Sequence, residues 1–579
     1  MASTNIARSP ARRGELRRCF SVAFGAFAGV AAAVASAGAA AQTAPTPAPA
    51  PAQADPSPAS VKGAPPAKPA AVQYFDIDEY RVDGADTLQQ IEVEEAVYPF
   101  LGPHRSSQDV EKARAALEKS YHDKGYQTVT VSIPAQNVDT RVVILKVTEG
   151  KVGVLRVKNS RYFDLAKIKE NAPSLKEGTV PNFNDVKKDI VALNQWPDRR
   201  VTPALRAGET PGTVDVDLNV EDTLPLHGSA ELNNRQSPNT TPLRFYSTVH
   251  YDNLWQLGHS LSLSYQIAPE RPSDTQVFSA SYLARITDNL SFLAYGLSST
   301  SDVATVGGMN VVGPGQVVGG RAVITLPTLG DLFHTISIGL DYKHFGQTVG
   351  LGTSSFSSPV TYYPAVATYS ATWQQQGALT QLNAGATFDL RGPGSKFDKF
   401  DNKRAYADTN FIHGNGDLSR TQDLPSGFQL YGKVQGQIAD GPLVSSEQFS
   451  LGGLDTVRGY LESETLGDNG VAGRLELRSP DFAAFLQKSL IQGAAAGTPP
   501  PNVFSEWRVF GFTDGGVAGI YHALSEQQSS FSLASYGVGT NFKFVDHLNG
   551  TVALAFPLIS QTYTRADEPR LLFRVWGEF

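Results

Sequence analysis

Cysteine is almost absent from this chain of 579 residues: Cys19 stands alone, in an N-terminal segment expected to be removed. Without thiols, the remaining chain has neither disulfides nor thiolate metal sites. Charge is sparse as well. Charged residues make up 18%, and the formal net charge of −7 gives no reason to expect nucleic acid as a partner. Beyond residue 41, no apolar run approaches the roughly 18 residues that a spanning helix needs. Catalytic patterns are missing too. Gly258-His259-Ser260 begins like a nucleophile elbow, but Ser262 stands where the closing glycine belongs. Gly313-x-Gly315 continues with Val318 where a dinucleotide fingerprint needs glycine, and it follows no βαβ pattern. The ten histidines contain no H-E-x-x-H, and His334 and His344 fall at opposite ends of one strand. No metal set and no cofactor is therefore expected. These gaps argue against an enzyme.

What is present begins with a leader. Arg8, Arg12, Arg13, Arg17 and Arg18 form a basic region, Phe20 to Ala37 is apolar and small, and Ala39-Ala40-Ala41 offers a cleavage site. Residues 1–41 read as a secretory signal peptide. Cys19 precedes the apolar stretch, whereas a lipidated cysteine follows it, so the segment does not read as a lipoprotein leader. Arg17-Arg18-Cys19-Phe20 only faintly resembles a twin-arginine signal. Residues 42–72 are dominated by Ala and Pro, cannot bury a core, and read as an extended spacer.

Residues 73–150 and 151–223 look like two copies of one unit with the order β-α-α-β-β. In the first, Tyr74 to Val82 reads as a strand and 86–98 as a helix. Ser106 opens a second helix with Asp109 at the capping-box position, Val110, Ala113, Leu117 and Tyr121 line one face, and Gly125 stops it. In the second, Phe183, Val186, Ile190 and Leu193 make one helical stripe, and strands at 199–206 and 213–221 close the unit.

From 224 to 579 the period becomes two. Leu261, Leu263, Tyr265 and Ile267 alternate with Ser262, Ser264 and Gln266; Phe428, Leu430, Val434 and Ile438 alternate with Gln429, Lys433, Gln435 and Gln437. A periplasmic sandwich would alternate too, so the number of segments matters. About 350 residues at about 22 per strand and connection give roughly 16 strands, an even number that a membrane barrel allows. Closure removes the unpaired edges that lipid does not tolerate. The fold expected is an all-β transmembrane barrel of about 16 antiparallel strands in outer-membrane lipid. On the last strand Leu571, Phe573, Val575, Gly577 and Phe579 share the apolar face, and Arg570, Arg574 and Glu578 the other.

Two motifs stand near the C-terminal end: Val457-Arg458-Gly459-Tyr460, and Phe512-Thr513-Asp514-Gly515-Gly516. Others mark the small units: Tyr121-His122-Asp123-Lys124-Gly125-Tyr126 and Val147-Thr148-Glu149-Gly150 in the first, Leu193-Asn194-Gln195-Trp196-Pro197-Asp198-Arg199 in the second. Taken in this order they resemble the two-partner secretion transporters, or haemolysin secretion/activation proteins, over about residues 73–579. This family belongs to the outer-membrane barrels with polypeptide-transport-associated (POTRA) domains. The resemblance implies two periplasmic α+β POTRA domains, and a pore that secretes or activates an unfolded partner protein without ATP. It also implies that a loop at about 440–469 folds back into the barrel, and that its Val457, Arg458, Gly459 and Tyr460 meet a wall carrying Phe512, Asp514 and Gly516. Phe579 resembles the signal read by the outer-membrane assembly machinery, with periplasmic chaperones as further partners during biogenesis. An assembly factor for other barrels, from the same superfamily, is the alternative; it would carry more POTRA repeats. A diffusion porin would carry none. Residues 42–72 form helix poorly, so no plug helix is expected there.

Overall fold

The computed structural model describes residues 74–579 except 195, 197, 302, 307–308, 347, 352–353, 358, 391, 484–503 and 546. The signal peptide (1–41), the spacer (42–72) and the question of a plug helix lie outside the described residues.

The first small unit runs β1 (Tyr74–Ile77), β2 (Glu79–Asp83), α1 (Gln90–Val97), β3 (Gly102–Ser106), α2 (Ser107–Asp123), β4 (Val129–Ser132) and β5 (Val142–Glu149). Its sheet has the order β2-β5-β4, with β2 parallel to β5. Helix α2 starts where the sequence places it. The Asp109 carboxylate accepts from the Ser106 amide at 3.0 Å and from its hydroxyl at 2.8 Å, which holds the Asp109 carboxyl down at about 2. Val110, Ala113, Leu117 and Tyr121 are buried, and Gly125 ends the helix at φ +100°.

Glu149 of the Val-Thr-Glu-Gly motif explains why α1 begins later than expected. Its carboxylate accepts from the amides of Asp86 and Thr87, the Thr87 hydroxyl and the Tyr121 hydroxyl. These bonds hold 86–87 as a bend rather than a helical turn. Burial, reinforced by this carboxylate, raises the Tyr121 phenol and keeps it a donor.

One expectation is corrected. The strand read as Tyr74 to Val82 is two strands: β1 leaves the sheet and pairs with β3. The first unit is thus not a bare β-α-α-β-β, because an extra two-stranded ladder stands in front of it.

The second unit runs β6 (Lys151–Lys158), α3 (Leu165–Glu170), α4 (Phe183–Leu193), β7 (Arg199–Ala207) and β8 (Thr213–Asp222). The sheet order is β6-β8-β7, with β6 parallel and β7 antiparallel to β8, which repeats the first unit's arrangement. Each unit has a separate apolar core, around Leu117 and Leu145 in one and around Ile168 and Leu218 in the other.

The barrel follows as β9 (Leu226–Asn233), β10 (Arg244–Leu254), β11 (His259–Ile267), β12 (Gln276–Arg285) and β13 (Leu290–Ser299), with a small hairpin β14 (Val303–Val306) and β15 (Met309–Val312). It continues with β16 (Gly315–Thr325), β17 (Leu332–Phe345), a hairpin β18 (Thr348–Leu351) and β19 (Ser354–Ser357), then β20 (Val360–Tyr362), β21 (Pro364–Gln375), β22 (Ala378–Asp389), helix α5 (Phe397–Lys403), β23 (Ile412–Asp423) and β24 (Gln429–Ala439). The last part comprises β25 (Phe449–Leu451), β26 (Thr465–Gly467), β27 (Asn469–Arg478), β28 (Phe504–Gly519), β29 (Ser530–Phe544), β30 (Leu548–Pro557) and β31 (Arg570–Glu578). Segments β20 and β21 continue one another and both pair with β17, so the closed, antiparallel barrel has sixteen strands.

The alternation falls as the sequence indicates. Leu261, Leu263 and Tyr265 are exposed on the outer surface while Gln266 is buried. No described helix is long and apolar enough to cross a membrane, so spanning falls to the strands. Closure joins β31 to β9 over five ladder pairs, from Arg574↔Asn233 to Glu578↔Ser229. The seam is then lengthened at both ends. Phe579 and Gly228 exchange backbone hydrogen bonds of 3.0 and 3.2 Å, and the Asn234 side chain bonds the Phe573 amide and the Leu571 carbonyl.

Candidate functional site in the barrel lumen

The chain between β24 and β27, residues 440–468, does not run over the surface. It enters the barrel and makes its own hairpin, β25 with β26, inside. Leu443, Val444, Leu451, Val457 and Tyr460 are all buried. Gly452, Gly453 and Gly459 adopt φ of +107°, +106° and +94°, which lets the segment reverse in a narrow space.

Arg458 stands on the wall at β28. Its Nε and Nη2 donate to Asp514 Oδ2 and Oδ1, each at 2.7 Å, and its own backbone amide adds a bond of 3.1 Å to Oδ2. This is the forked geometry that a guanidinium allows and an ammonium does not. The guanidinium carbon lies 3.6 Å from the Phe512 ring centroid, so the aromatic ring forms the floor under the charge. Phe512 and Asp514 project to the same side because they are two residues apart on one strand.

Gly516 continues that face, and its role is space. A Cβ there would lie 2.6 Å from Leu451 of the inserted hairpin. Val457 packs with Leu451, Tyr460 and Leu533, and the Tyr460 hydroxyl donates to the carbonyls of Ala534 and Ile559. A Cβ on Gly459 would touch Ala555 at 3.3 Å, so the glycine brings the loop backbone onto the wall. The structure thus gathers Val457, Arg458, Gly459, Tyr460, Phe512, Asp514 and Gly516 at one place. Phe579 lies apart from them, at the barrel seam.

A water-filled lumen would screen the Arg458 contact, but the surroundings are drier than that. The Arg458 side chain is 3% exposed and that of Asp514 is 0% exposed. Two open spaces in the lumen border the loop, one lined by Leu454, Asp455 and Arg458 and the other by Glu447, Phe449 and Thr456.

Several anchors were not read from the sequence. Glu476 takes the remaining Arg458 nitrogen, Nη1, at 2.7 Å, and is itself flanked by Arg474 and Arg478. Arg235 of the loop between β9 and β10 reaches Glu462 and Asp455 at 3.0 and 2.5 Å. Lys343, Tyr362 and His413 converge on the buried Glu447 at 2.6, 2.6 and 3.1 Å. Arg404, just beyond α5, holds Asp468. The alternation Arg474-x-Glu476-x-Arg478 was available as a signal, because it puts three charges on one strand face. The other pairs join segments 34 to 227 residues apart and leave no local pattern.

The second-unit motif Asn-Gln-Trp-Pro-Asp-Arg serves a different contact. Arg199 stacks 4.3 Å from the Trp196 ring and bonds the Leu193 carbonyl, and burial brings its guanidinium down to about 10, still charged at neutral pH. Trp196 lies against Gly258, in the turn between β10 and β11, where a Cβ would meet the indole at 2.6 Å. Gln256 of that turn accepts from the Asp164 amide and donates to the Tyr162 carbonyl. The motif fixes the second unit to the lower rim of the barrel.

Residues 75–150 match the family model described as POTRA domain, ShlB-type, and residues 351–498 match the one described as haemolysin secretion/activation protein ShlB/FhaC/HecB. The second stretch contains the inserted loop and its Arg458. The chain belongs to the two-partner secretion transporters. It is similar to the outer membrane transporter CdiB of Dickeya dadantii (strain 3937), with 21% identity over 439 residues, covering 70% of this chain and 72% of that protein. It is also similar to the heme/hemopexin transporter protein HuxB of Haemophilus influenzae (strain 86-028NP), with 20% identity over 484 residues and 79% of each chain. Among solved structures, CdiB from Escherichia coli aligns with a TM-score of 0.57 at 19% identity, covering 89% of this chain and 92% of its own. BamA from Haemophilus ducreyi lacking POTRA domains 1-3 aligns with a TM-score of 0.52 at 12% identity, covering 87% and 100%. These two are likenesses of fold. As a two-partner secretion transporter, the protein sits in the outer membrane with its POTRA domains in the periplasm.

Proposed function

We propose that this transporter receives one dedicated partner protein, unfolded, from the periplasm and passes it through its own barrel once residues 440–468 withdraw. The observation that carries this reading is the Arg458–Asp514 contact, which pins a displaceable loop across the lumen. No ATP is expected outside the inner membrane; folding of the partner on the outer side would prevent its return and give transport a direction. Activation of the partner would accompany passage. During biogenesis the chain itself would be handled by periplasmic chaperones and by the outer-membrane assembly machinery.

A tether tests whether the loop moves. A Cβ on Gly459 would lie 3.3 Å from that of Ala555, close to the roughly 3.5–4.5 Å span of a disulfide. Gly459→Cys with Ala555→Cys is expected to secrete normally when reduced and to stop when oxidised. The φ of +94° at position 459 makes a side chain there costly by about 1–2 kcal/mol, so the reduced form is the necessary control. Unchanged secretion with the bond fully formed would show that the loop does not need to leave.

Capture is proposed to fall on the outer edge of β7. Two other edges are partly occupied: Arg114, Glu118 and His122 of α2 bond the free side of β4, and 177–179 cover the start of β6. On β7 the Asn194 side chain takes the outward groups of Val201, which by the period of two leaves those of Pro203, Leu205 and Ala207 facing away from the sheet. A proline at an edge position is what strand chemistry allows, and a free edge can accept a further strand. Residues 73–222, expressed alone, are expected to be soluble, because each POTRA domain has its own core, and to bind an unfolded N-terminal segment of the partner. Leu205→Pro, which removes an outward amide, should weaken that binding. A soluble fragment that binds no segment of a partner secreted by the full-length protein would overturn the receptor role.

The alternative, a barrel-assembly factor, has the short β31–β9 seam in its favour. Deletion separates the two: retention of one partner in the periplasm with other outer-membrane barrels at normal levels supports secretion, and general loss of barrels supports assembly.

A further inference from the structure

We propose that Asp198, His227, His250 and Asp252 form a binding site for a divalent transition-metal ion, zinc by the chemistry of the set, which ties the second POTRA domain to the periplasmic mouth of the barrel. No sequence pattern announces it: the histidines are 23 residues apart and belong to no metal-binding motif. Strand register brings them together. His227 of β9 and His250 of β10 are direct cross-strand partners, and Asp252 follows two residues on, on the same face. Their rings lie with centroids 4.9 Å apart. One ligand atom from each of His227, His250 and Asp252 falls within a sphere of mutual distances no greater than 4.8 Å.

The distances of His227, His250 and Asp252 suit three ligands of a tetrahedral ion; Asp198 lies outside that mutual set, in contact with His227, and would move in to complete it. His250 Nε2 lies 3.2 Å from Asp252 Oδ2, His227 Nε2 lies 4.0 Å from that same oxygen, and His227 Nε2 lies 2.8 Å from Asp198 Oδ1. Zinc–ligand bonds of about 2.0–2.1 Å place neighbouring tetrahedral ligands about 3.3 Å apart, in the middle of that range. Two neutral imidazoles with two carboxylates also balance the charge of a divalent ion, and imidazole selects zinc and its neighbours over calcium or magnesium, which prefer all-oxygen sets.

The supporting contacts point the same way. Asp198 is buried, and its backbone is fixed by the Thr223 amide bonding its carbonyl at 3.0 Å. The other three are partly accessible, with side-chain exposures of 30%, 38% and 21% for His227, His250 and Asp252, which gives an ion a path from the periplasm.

Position gives the site its consequence. Asp198 comes from the POTRA domain, two residues after the Trp196 that packs on the β10–β11 turn, while the other three come from the first two barrel strands. An ion would therefore bridge domain and barrel beside the short linker, residues 223–225, that joins them. It would also sit beside Gly228, the residue that closes the seam with Phe579. The same atoms without a metal make a hydrogen-bonded carboxylate–imidazole network, and the experiment must separate the two.

Full-length protein without a histidine tag, in detergent and stripped with chelator, is titrated with Zn²⁺ by calorimetry and with Co²⁺ by visible absorption. We expect one saturable site with the intense Co²⁺ bands of a four-coordinate ion, and weaker binding in acid, where protons compete for the ligands. His227→Asn and His250→Asn should each weaken binding at least about tenfold, and together abolish it, with heat-modifiability on gels checking that the barrel remains folded. Asp198→Asn should also weaken binding about tenfold, and Zn²⁺ should slow proteolysis between the POTRA domain and the barrel in the unsubstituted protein only. Absence of saturable binding, or equal binding by the folded double-histidine variant, overturns the site. Undiminished binding by Asp198→Asn overturns the bridge between domain and barrel.

Discussion

Arg458→Ala is expected to leave the barrel folded and to cut export of the partner to below about a tenth of its usual rate. The barrel survives because Arg458 is one of several anchors. Glu476 keeps Arg474 and Arg478, and Tyr460, Glu447, Asp468 and Glu462 still hold the loop. Export suffers because breaking a buried pair on one side costs about 3–5 kcal/mol, and that disturbance falls on the buried charged contact at the loop tip. Asp514→Ala should resemble it. The double variant should be less than additive, since both changes break one interaction. Arg458→Lys keeps the charge but not the fork, so an intermediate loss is expected. Exchanging the two residues should not rescue: an aspartate at 458 is too short to reach the wall, and Glu476 would then face it. Secretion is measured at equal barrel abundance. Fully additive defects would show that Arg458 and Asp514 act separately, and the latch would be abandoned.

How much of this was legible beforehand depends on the range of each interaction. Periodicity marked the barrel because lipid and lumen impose a strict period of two, so Leu261 or Val434 announces its side by position alone. The cap at Ser106 and the stop at Gly125 were readable for the same reason: a helix end is a local event. Arg458 and Asp514 are 56 residues apart, and nothing in their spacing pairs them; family motifs did. Glu447, which joins Lys343 and His413 within one buried cluster, had no motif to carry it and went unseen. The break between β1 and β2 was missed because both halves alternate well. What divides them is a tertiary choice, the pairing of β1 with β3, which propensity does not encode. His227 and His250 show the limit most plainly, for they meet only because two strands run in one register.

Deletion of Phe579 is expected to reduce the amount of folded barrel in the outer membrane severalfold, with little effect on export per surviving barrel. The residue's place in the structure gives the reason. The seam has five ladder pairs between β31 and β9, and Phe579 extends it by exchanging backbone bonds with Gly228. Its side chain is largely exposed on the outer face, 71%, and lies across Gly228, where a Cβ would meet the ring at 2.5 Å. Losing it removes two backbone bonds, each worth about 1 kcal/mol net, from the shortest junction of the barrel. A few kcal/mol is not enough to open a sixteen-strand barrel already closed, since the other fifteen junctions remain. Before closure the position matters more: the strand edge is free, and the aromatic terminus is the part that the assembly machinery is proposed to read. Membrane fractionation with heat-modifiability on gels measures the folded amount. Phe579→Tyr keeps an aromatic ring and both backbone bonds and should assemble normally, whereas Phe579→Ala keeps only the bonds. If Phe579→Ala assembles as well as the unsubstituted protein, the ring is not a signal and the seam bonds alone account for the deletion. If the deletion itself assembles normally, neither role stands.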